Sequence, residues 1–219
     1  MIRYKTFFTF FILCFIVIYP LPFFAQGEQA PASIQLPKQN LSSDISLVQA
    51  LQNRKSTREF KTDDLSLQTI SNLLWAANGI NRPDSGMRTA PSAKNAQEID
   101  IYVAMKKGLF LYNAGTHTLD FVLSEDIRKS TGIQEFVQQA PIDLIFVSNL
   151  DRLGGPEDIA MFYSATDTGY ISQNVYLFCA AEGIATVVLG WIDKEALAKA
   201  MNLKSNQRII LTQPVGYPK

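Results

Sequence analysis

The chain has 219 residues, of which 47% are hydrophobic and 11% aromatic, with 20 basic residues against 20 acidic ones. This composition excludes a disordered chain and suits one ordinary domain with a buried core. A formal charge of zero gives no electrostatic reason to expect a nucleic-acid partner.

The first 25 residues differ from the rest. Arg3 and Lys5 precede an apolar run from Phe7 to Tyr19, then Pro20, Pro22 and Ala25 follow. A basic start, a short apolar segment and a small residue read as a secretory signal cleaved near Ala25, which places the protein in the periplasm or cell envelope. The run is short for a membrane span of about 20 residues, so the mature protein is expected to have no membrane partner. Cys14 lies deep in this run, leaving Cys179 as the one cysteine beyond it, so no internal disulfide is expected. Residues 26–43, rich in Gln, Pro, Ser and Ala, read as a linker before a domain at 44–219.

Helical spacing starts near Ile45, with Leu47, Val48 and Leu51 as an apolar stripe ending near Arg54. Ser66 is placed to cap a second helix through Ala77, with Asn78-Gly79 closing it. Pro83, Gly86 and Pro91 make residues 80–96 largely loop. Three strands follow, at 99–103, 108–112 and 119–123, in the order of an antiparallel meander. Short helices are expected near 124–131 and 134–139, then a buried strand at 142–147. A long helix runs from about Pro156 to Ala181 and ends at Gly183. A strand at 184–189, a helix capped by Asp193 and a last strand at 208–215 complete the chain. Strands grouped between helices favour an α+β fold, with a central antiparallel or mixed sheet flanked by helices.

Cys179, in Tyr176-Leu177-Phe178-Cys179-Ala180-Ala181, reads as a buried core residue. His117 sits in a turn, with no metal-ligand spacing and no nucleophile motif around it, so neither a metal site nor a side-chain nucleophile is expected.

Three segments carry chemistry. Arg54-Lys55-Ser56-Thr57-Arg58 puts three cations and two hydroxyls where the first helix ends, a set that suits a phosphate. The same residues would also complement a helix dipole as a solvated face. Arg88-Thr89-Ala90-Pro91-Ser92-Ala93-Lys94-Asn95-Ala96-Gln97 carries polar groups suited to a planar heterocycle, and equally reads as a strand-entry turn. Thr186-Val187-Val188-Leu189-Gly190 ends in glycine, which allows close backbone approach to a ligand or a plain turn.

In this order, the three segments resemble the nitroreductase family of FMN enzymes. Arg54, Ser56, Arg58 and Phe60 match its opening pattern, and Pro91, Ser92 and Ala93 its Pro-Ser-Ala loop. Asp167-Thr168-Gly169-Tyr170-Ile171-Ser172-Gln173-Asn174 matches the long helix, and Pro214-Val215-Gly216-Tyr217-Pro218 the closing strand. The Arg88–Ala93 form looks nearest to the branch related to azoline-forming dehydrogenases, although Lys94-Asn95-Ala96-Gln97 departs from that branch's Gly and Tyr-Pro. The resemblance implies FMN as cofactor and a two-fold dimer that shares the flavin site. It places Arg54, Lys55 and Ser56 at the phosphate and ribityl chain, with Lys219 as a further phosphate contact. Arg58 falls at the pyrimidine side, and Ser92, Asn95 and Gln97 at the ring edge. The backbone of Leu189 and Gly190 falls at N5 and O4. No catalytic side chain is implied, because the flavin itself accepts the hydride from, or delivers it to, a small organic substrate. A non-catalytic flavin-binding electron carrier or sensor stays open at this stage.

Overall fold

The computed structural model describes residues 33–41 and 45–219. The signal at 1–25, residues 26–32 and 42–43 of the linker, and residue 44 lie outside them.

A short strand β1 (Ile34–Gln35) precedes helices α1 (Leu47–Asn53) and α2 (Leu67–Asn78) and a small hairpin of β2 (Ile80–Arg82) and β3 (Met87–Arg88). Then come β4 (Ile99–Met105), β5 (Gly108–Asn113), β6 (Thr118–Leu123), β7 (Ile142–Asn149) and a one-turn helix α3 (Leu150–Leu153). The chain ends with α4 (Glu157–Glu182), β8 (Ala185–Thr186), α5 (Lys194–Ala200) and β9 (Gln207–Gly216). Seven strands form one sheet in the order β1-β6-β5-β4-β7-β9-β8, with every neighbouring pair antiparallel. The fold is therefore α+β, and the sheet is antiparallel throughout.

Period-2 alternation sorts the central strands between two layers. Ile101, Val103 and Met105 of β4, with Leu144 and Phe146 of β7, pack with Leu73 and Leu74 of α2 and Ile171 and Val175 of α4. The intervening Tyr102, Ala104, Ile145 and Val147 pack with Leu197 of α5 and Met201. Helices thus cover both faces of the sheet, which is why β4 and β7 read as nearly continuous apolar runs.

Local signals set several boundaries. The Ser66 hydroxyl accepts from the Thr69 amide and starts α2. Gly79 closes it in extended rather than left-handed geometry, and a Cβ there would lie 2.6 Å from Trp75 Cδ1. Close approach, not a positive φ, demands this glycine. At the end of α4, by contrast, Gly183 takes φ 67°, the left-handed cap.

Other expectations are corrected. Residues 34–36 of the supposed linker are structured: Ile34 pairs with Leu119, and Leu36 is 2% exposed within the main core. Residues 80–96 include the β2–β3 hairpin, and the two short helices before β7 are 3₁₀ turns at Arg128–Ser130 and Glu135–Gln139. The strand expected over 184–189 is two residues long, with one further bridge from Leu189 to Thr212. The apolar stripe of α1 faces outward, because Leu47, Val48 and Leu51 are all exposed and only Ala50 is buried.

Cys179 is a core residue, and burial pushes its thiol pKa up. His117 Nε2 lies 2.7 Å from Ser71 Oγ and its Nδ1 lies 3.0 Å from the Tyr112 hydroxyl. The Ser71 hydroxyl is 2.6 Å from the Pro37 carbonyl and is buried, so this pair ties down the residues after β1 and is no nucleophile. Leu36→Ala should accordingly cost about 2–4 kcal/mol in urea unfolding, as for a truncated core leucine. A change within 0.5 kcal/mol, typical of surface sites (about that size), would restore the linker reading for this segment.

Candidate functional site

The cationic segment leaves α1 at Arg54, whose ψ of 118° turns the chain from helix to extended backbone. Two anchors hold it there. The Thr57 amide donates to the Thr186 carbonyl at 3.0 Å, and fully buried Phe60 bridges to Pro218. Extended backbone sends alternate side chains to opposite sides. On one side, Arg54 lies over the Tyr176 ring, 5.2 Å from its centroid, and Ser56 Oγ lies 2.8 Å from the Tyr176 hydroxyl. On the other, Lys55 and Thr57 line a cavity of about 670 Å³ together with Gly183, Thr186 and Lys219. Lys219 reaches it because its amide donates to the Glu59 carbonyl, and its Nζ donates to Gln139 Oε1 at 3.3 Å. Among the described residues the ion pairs are Arg128–Asp126, Arg152–Asp100 and Arg208–Glu157, so no carboxylate neutralises Arg54, Lys55 or Arg58. Lys55, Ser56 and Arg58 are exposed. Uncompensated cations beside hydroxyl groups fit a phosphate.

Tyr176 links this segment to the third motif. Its hydroxyl accepts from the Val188 amide at 2.9 Å, leaving the phenol proton for Ser56. Leu189 cannot play the part that the resemblance implies. Its amide donates to the Thr212 carbonyl at 2.8 Å, its carbonyl accepts from the Thr212 amide at 3.1 Å, and its side chain is 4% exposed. The next amide, that of exposed Gly190, has no bond of its own among the described residues and is the donor this strand end presents. The turn at 131–133 grips the segment from the other side: Thr212 Oγ1 donates to the Thr131 carbonyl and the Ile133 amide to the Trp191 carbonyl.

The Ser92–Gln97 loop is strained. Lys94, Asn95 and Gln97 all take positive φ, of 55°, 54° and 49°. Its polar groups mostly serve the loop itself. Ser92 Oγ accepts from the Gln97 amide, and Gln97 Oε1 accepts from Arg88 Nε at 2.8 Å. Gln97 Nε2 donates to the Gly86 carbonyl and to Asn95 Oδ1. Gln97 is thus a brace, whereas the Asn95 amino group and the Ser92 proton remain to donate to a ligand.

Two buried acidic side chains, Glu98 and Asp167, lie beneath this loop. Asp167 Oδ2 accepts from the Ala93 amide at 2.8 Å, and Glu98, fully buried, lies near the Asp167 charge with both of its carboxyl oxygens unpartnered among the described residues. Burial, and secondarily the Asp167 charge, push Glu98 up to about 7. Tyr176 and Glu98 are the functional candidates that sequence reasoning missed; the one residue signal, a carboxylate directly before an apolar strand, was present but ambiguous.

One chain does not bring the loop and the cationic segment to one place. Both are anchored on α4, at Asp167 and Tyr176. Nine helical residues amount to about 13 Å of rise and about 180° of rotation, so the two motifs hold opposite flanks of the helix. Between those flanks, the outward face of α4 exposes Ile159, Phe162, Tyr163 and Tyr170.

Comparison with known proteins shows the family and the fold. The profile of the Nitroreductase family matches residues 51–217. A protein from Methanocaldococcus jannaschii, provisionally described as a nitroreductase, is 29% identical over 194 residues, covering 84% of this chain and 95% of that protein. A crystal structure from Ralstonia eutropha JMP134, also provisionally described as a nitroreductase, is 40% identical with a TM-score of 0.83, covering 87% of this chain and 91% of that one. The fold is shared more distantly with a chain of the Escherichia coli microcin synthetase complex, at 19% identity and a TM-score of 0.67, covering 94% of this chain and 85% of that one.

Proposed function

Because the chain belongs to the nitroreductase family of oxidoreductases, we propose that it binds FMN and uses it to move a hydride to or from a small organic substrate. One observation carries this reading. Three cations without carboxylate partners are fastened through Tyr176 to the strand end where Gly190 presents an unbonded amide. A phosphate-holding segment and a main-chain donor for a ring edge are what a mononucleotide needs. The chain shows no Gly-rich strand-to-helix turn of the dinucleotide-binding kind.

In this reading Arg54, Lys55 and Ser56 hold the phosphate and ribityl chain, and Lys219 adds charge from the C-terminal side. Arg58 stabilises negative charge on the pyrimidine side of the ring, and the Gly190 amide donates near N5 and O4. When bound, FMN supplies the hydride chemistry at N5. No side chain of this protein need act as a nucleophile.

The loop bearing Ser92 and Asn95 completes the site only from a second subunit, because within one chain it holds the far flank of α4. A two-fold dimer packed through the outward faces of α1 and α4 supplies that loop and covers Leu47, Val48, Leu51, Phe162 and Tyr163. Export to the periplasm or cell envelope, on the strength of residues 1–25, remains part of the proposal.

The purified protein should be yellow, sediment as a dimer and release FMN on denaturation. Mass spectrometry of the released cofactor and sedimentation at two protein concentrations test this. Recovery of FAD, or a monomer that retains its full flavin, would overturn the shared-site reading.

A further inference from the structure

A second cavity lies on the other side of the Ser92–Gln97 loop, between β3 and the ends of β4, β5 and β6. It encloses about 360 Å³, within the range of small-molecule sites, and Arg88, Asp100, Tyr112, Asn113, Asp120 and Arg152 are among its walls. Its chemistry is not that of the phosphate-binding segment, with which it shares no residue.

Charge is unevenly satisfied around it. Asp100 is gripped at two points by Arg152, at 2.8 and 3.2 Å. Arg88 stands beside this pair, half-buried, with no carboxylate within ion-pairing distance among the described residues. Its Nε is used by Gln97 Oε1 and its Nη1 reaches the Asn78 carbonyl at 3.3 Å, while Nη2 carries no bond among the described residues. Arg152 thus takes Asp100 for itself, and burial of Arg88 disfavours its charge, lowering its pKa. A half-buried cation without a counter-charge is costly, and an anionic ligand would relieve it. Asp120 is also among the walls of this cavity. It accepts from Thr118 Oγ1 at 2.8 Å and from Asn113 Nδ2 at 3.2 Å, which lowers its pKa and leaves it ionised with accepting capacity to spare.

We propose that this cavity binds a small zwitterion carrying a carboxylate and an ammonium group, as an amino acid does, with the carboxylate on Arg88 and the ammonium directed to Asp120. Arg88 is the specificity residue, since its planar fork matches a carboxylate while Nη2 is still available. Arg88 also braces Gln97, so an occupant would stiffen the loop that Ser92 and Asn95 share.

Isothermal titration of the purified full-length protein with glycine, 4-aminobutyrate, acetate and sulfate tests the proposal. At least one zwitterion should saturate with a Kd of about 1 mM or tighter, and Arg88→Gln should weaken it about tenfold or more. Asp120→Asn should weaken the zwitterion while leaving acetate unchanged. Arg88→Lys keeps the charge but loses the fork, and should fall between wild type and Arg88→Gln, which separates recognition from any loss of fold in the Gln variant. Failure of both zwitterions to saturate, sulfate binding as tightly as either, or undiminished binding by Arg88→Gln and Arg88→Lys would overturn the assignment. Binding heat does not depend on flavin turnover, so this outcome is read independently of the FMN site.

Discussion

Arg54→Ala is expected to weaken FMN binding about thirtyfold, with little change in the flavin's midpoint potential. Losing one charge-assisted hydrogen bond to an ionised group costs about 2 kcal/mol, which corresponds to that factor. The structure adds a reason to expect a specific effect. Arg54 lies on the Tyr176 ring, and Tyr176 holds both Ser56 and the Val188 amide, so the guanidinium is preorganised where the segment faces outward. Arg58→Ala should show the opposite pattern, because Arg58 is exposed and is assigned to the ring rather than the phosphate. Removing a cation beside the reduced ring should lower the midpoint potential by about 40 mV, the two-electron equivalent of about 2 kcal/mol, with a smaller loss of affinity. Fluorescence titration with FMN and spectroelectrochemistry on both variants decide the matter. If both keep wild-type affinity and potential, the assignment of the 54–58 segment is wrong.

The second large effect is on stability. Glu98→Gln should raise unfolding free energy by about 3 kcal/mol at pH 8, and by much less at pH 4. The sign follows from linkage. A carboxyl raised from 4.5 to about 7 by burial binds its proton more tightly in the folded chain than in the unfolded one. Stability is therefore highest below pH 4.5, falls as pH rises toward 7, and stays low above it. Glutamine keeps the shape and carries no charge, so it removes the cost of an ionised group buried near Asp167. Urea denaturation of both proteins at pH 4, 6 and 8 measures the effect. Parallel curves across this range would show that Glu98 does not titrate in the folded state. Asp167 holds the Ala93 amide, so the variant also shows whether the Glu98 carboxyl helps to seat the Ser92–Gln97 loop or only burdens the fold.

Much of this protein was readable from its residues in order. Ser66 starting α2, Gly183 ending α4, the meander of β4, β5 and β6, and the buried run of β7 each depend on neighbours within a few positions. The three site motifs were likewise found as short segments, and their cationic, amide and glycine chemistry needed no coordinates. Tertiary structure alone decided the rest. A two-residue strand such as β1 is too short to show a period, and only its pairing with Leu119 and the burial of Leu36 reveal it. The stripe of α1 was visible, but no periodicity tells whether an apolar face turns toward its own core or toward a partner. Leu189 and Gln97 looked free to serve a ligand until Thr212 and Arg88 were seen to occupy them. Glu98 and Asp167 are 69 residues apart in the sequence, and the raised pKa of Glu98 arises from desolvation and from a charge that only the fold brings near. The division has one physical cause: helix caps and strand alternation are written in local backbone and side-chain geometry, whereas hydrogen-bond occupancy, burial and the flank of α4 on which each motif lies are set by contacts between distant segments.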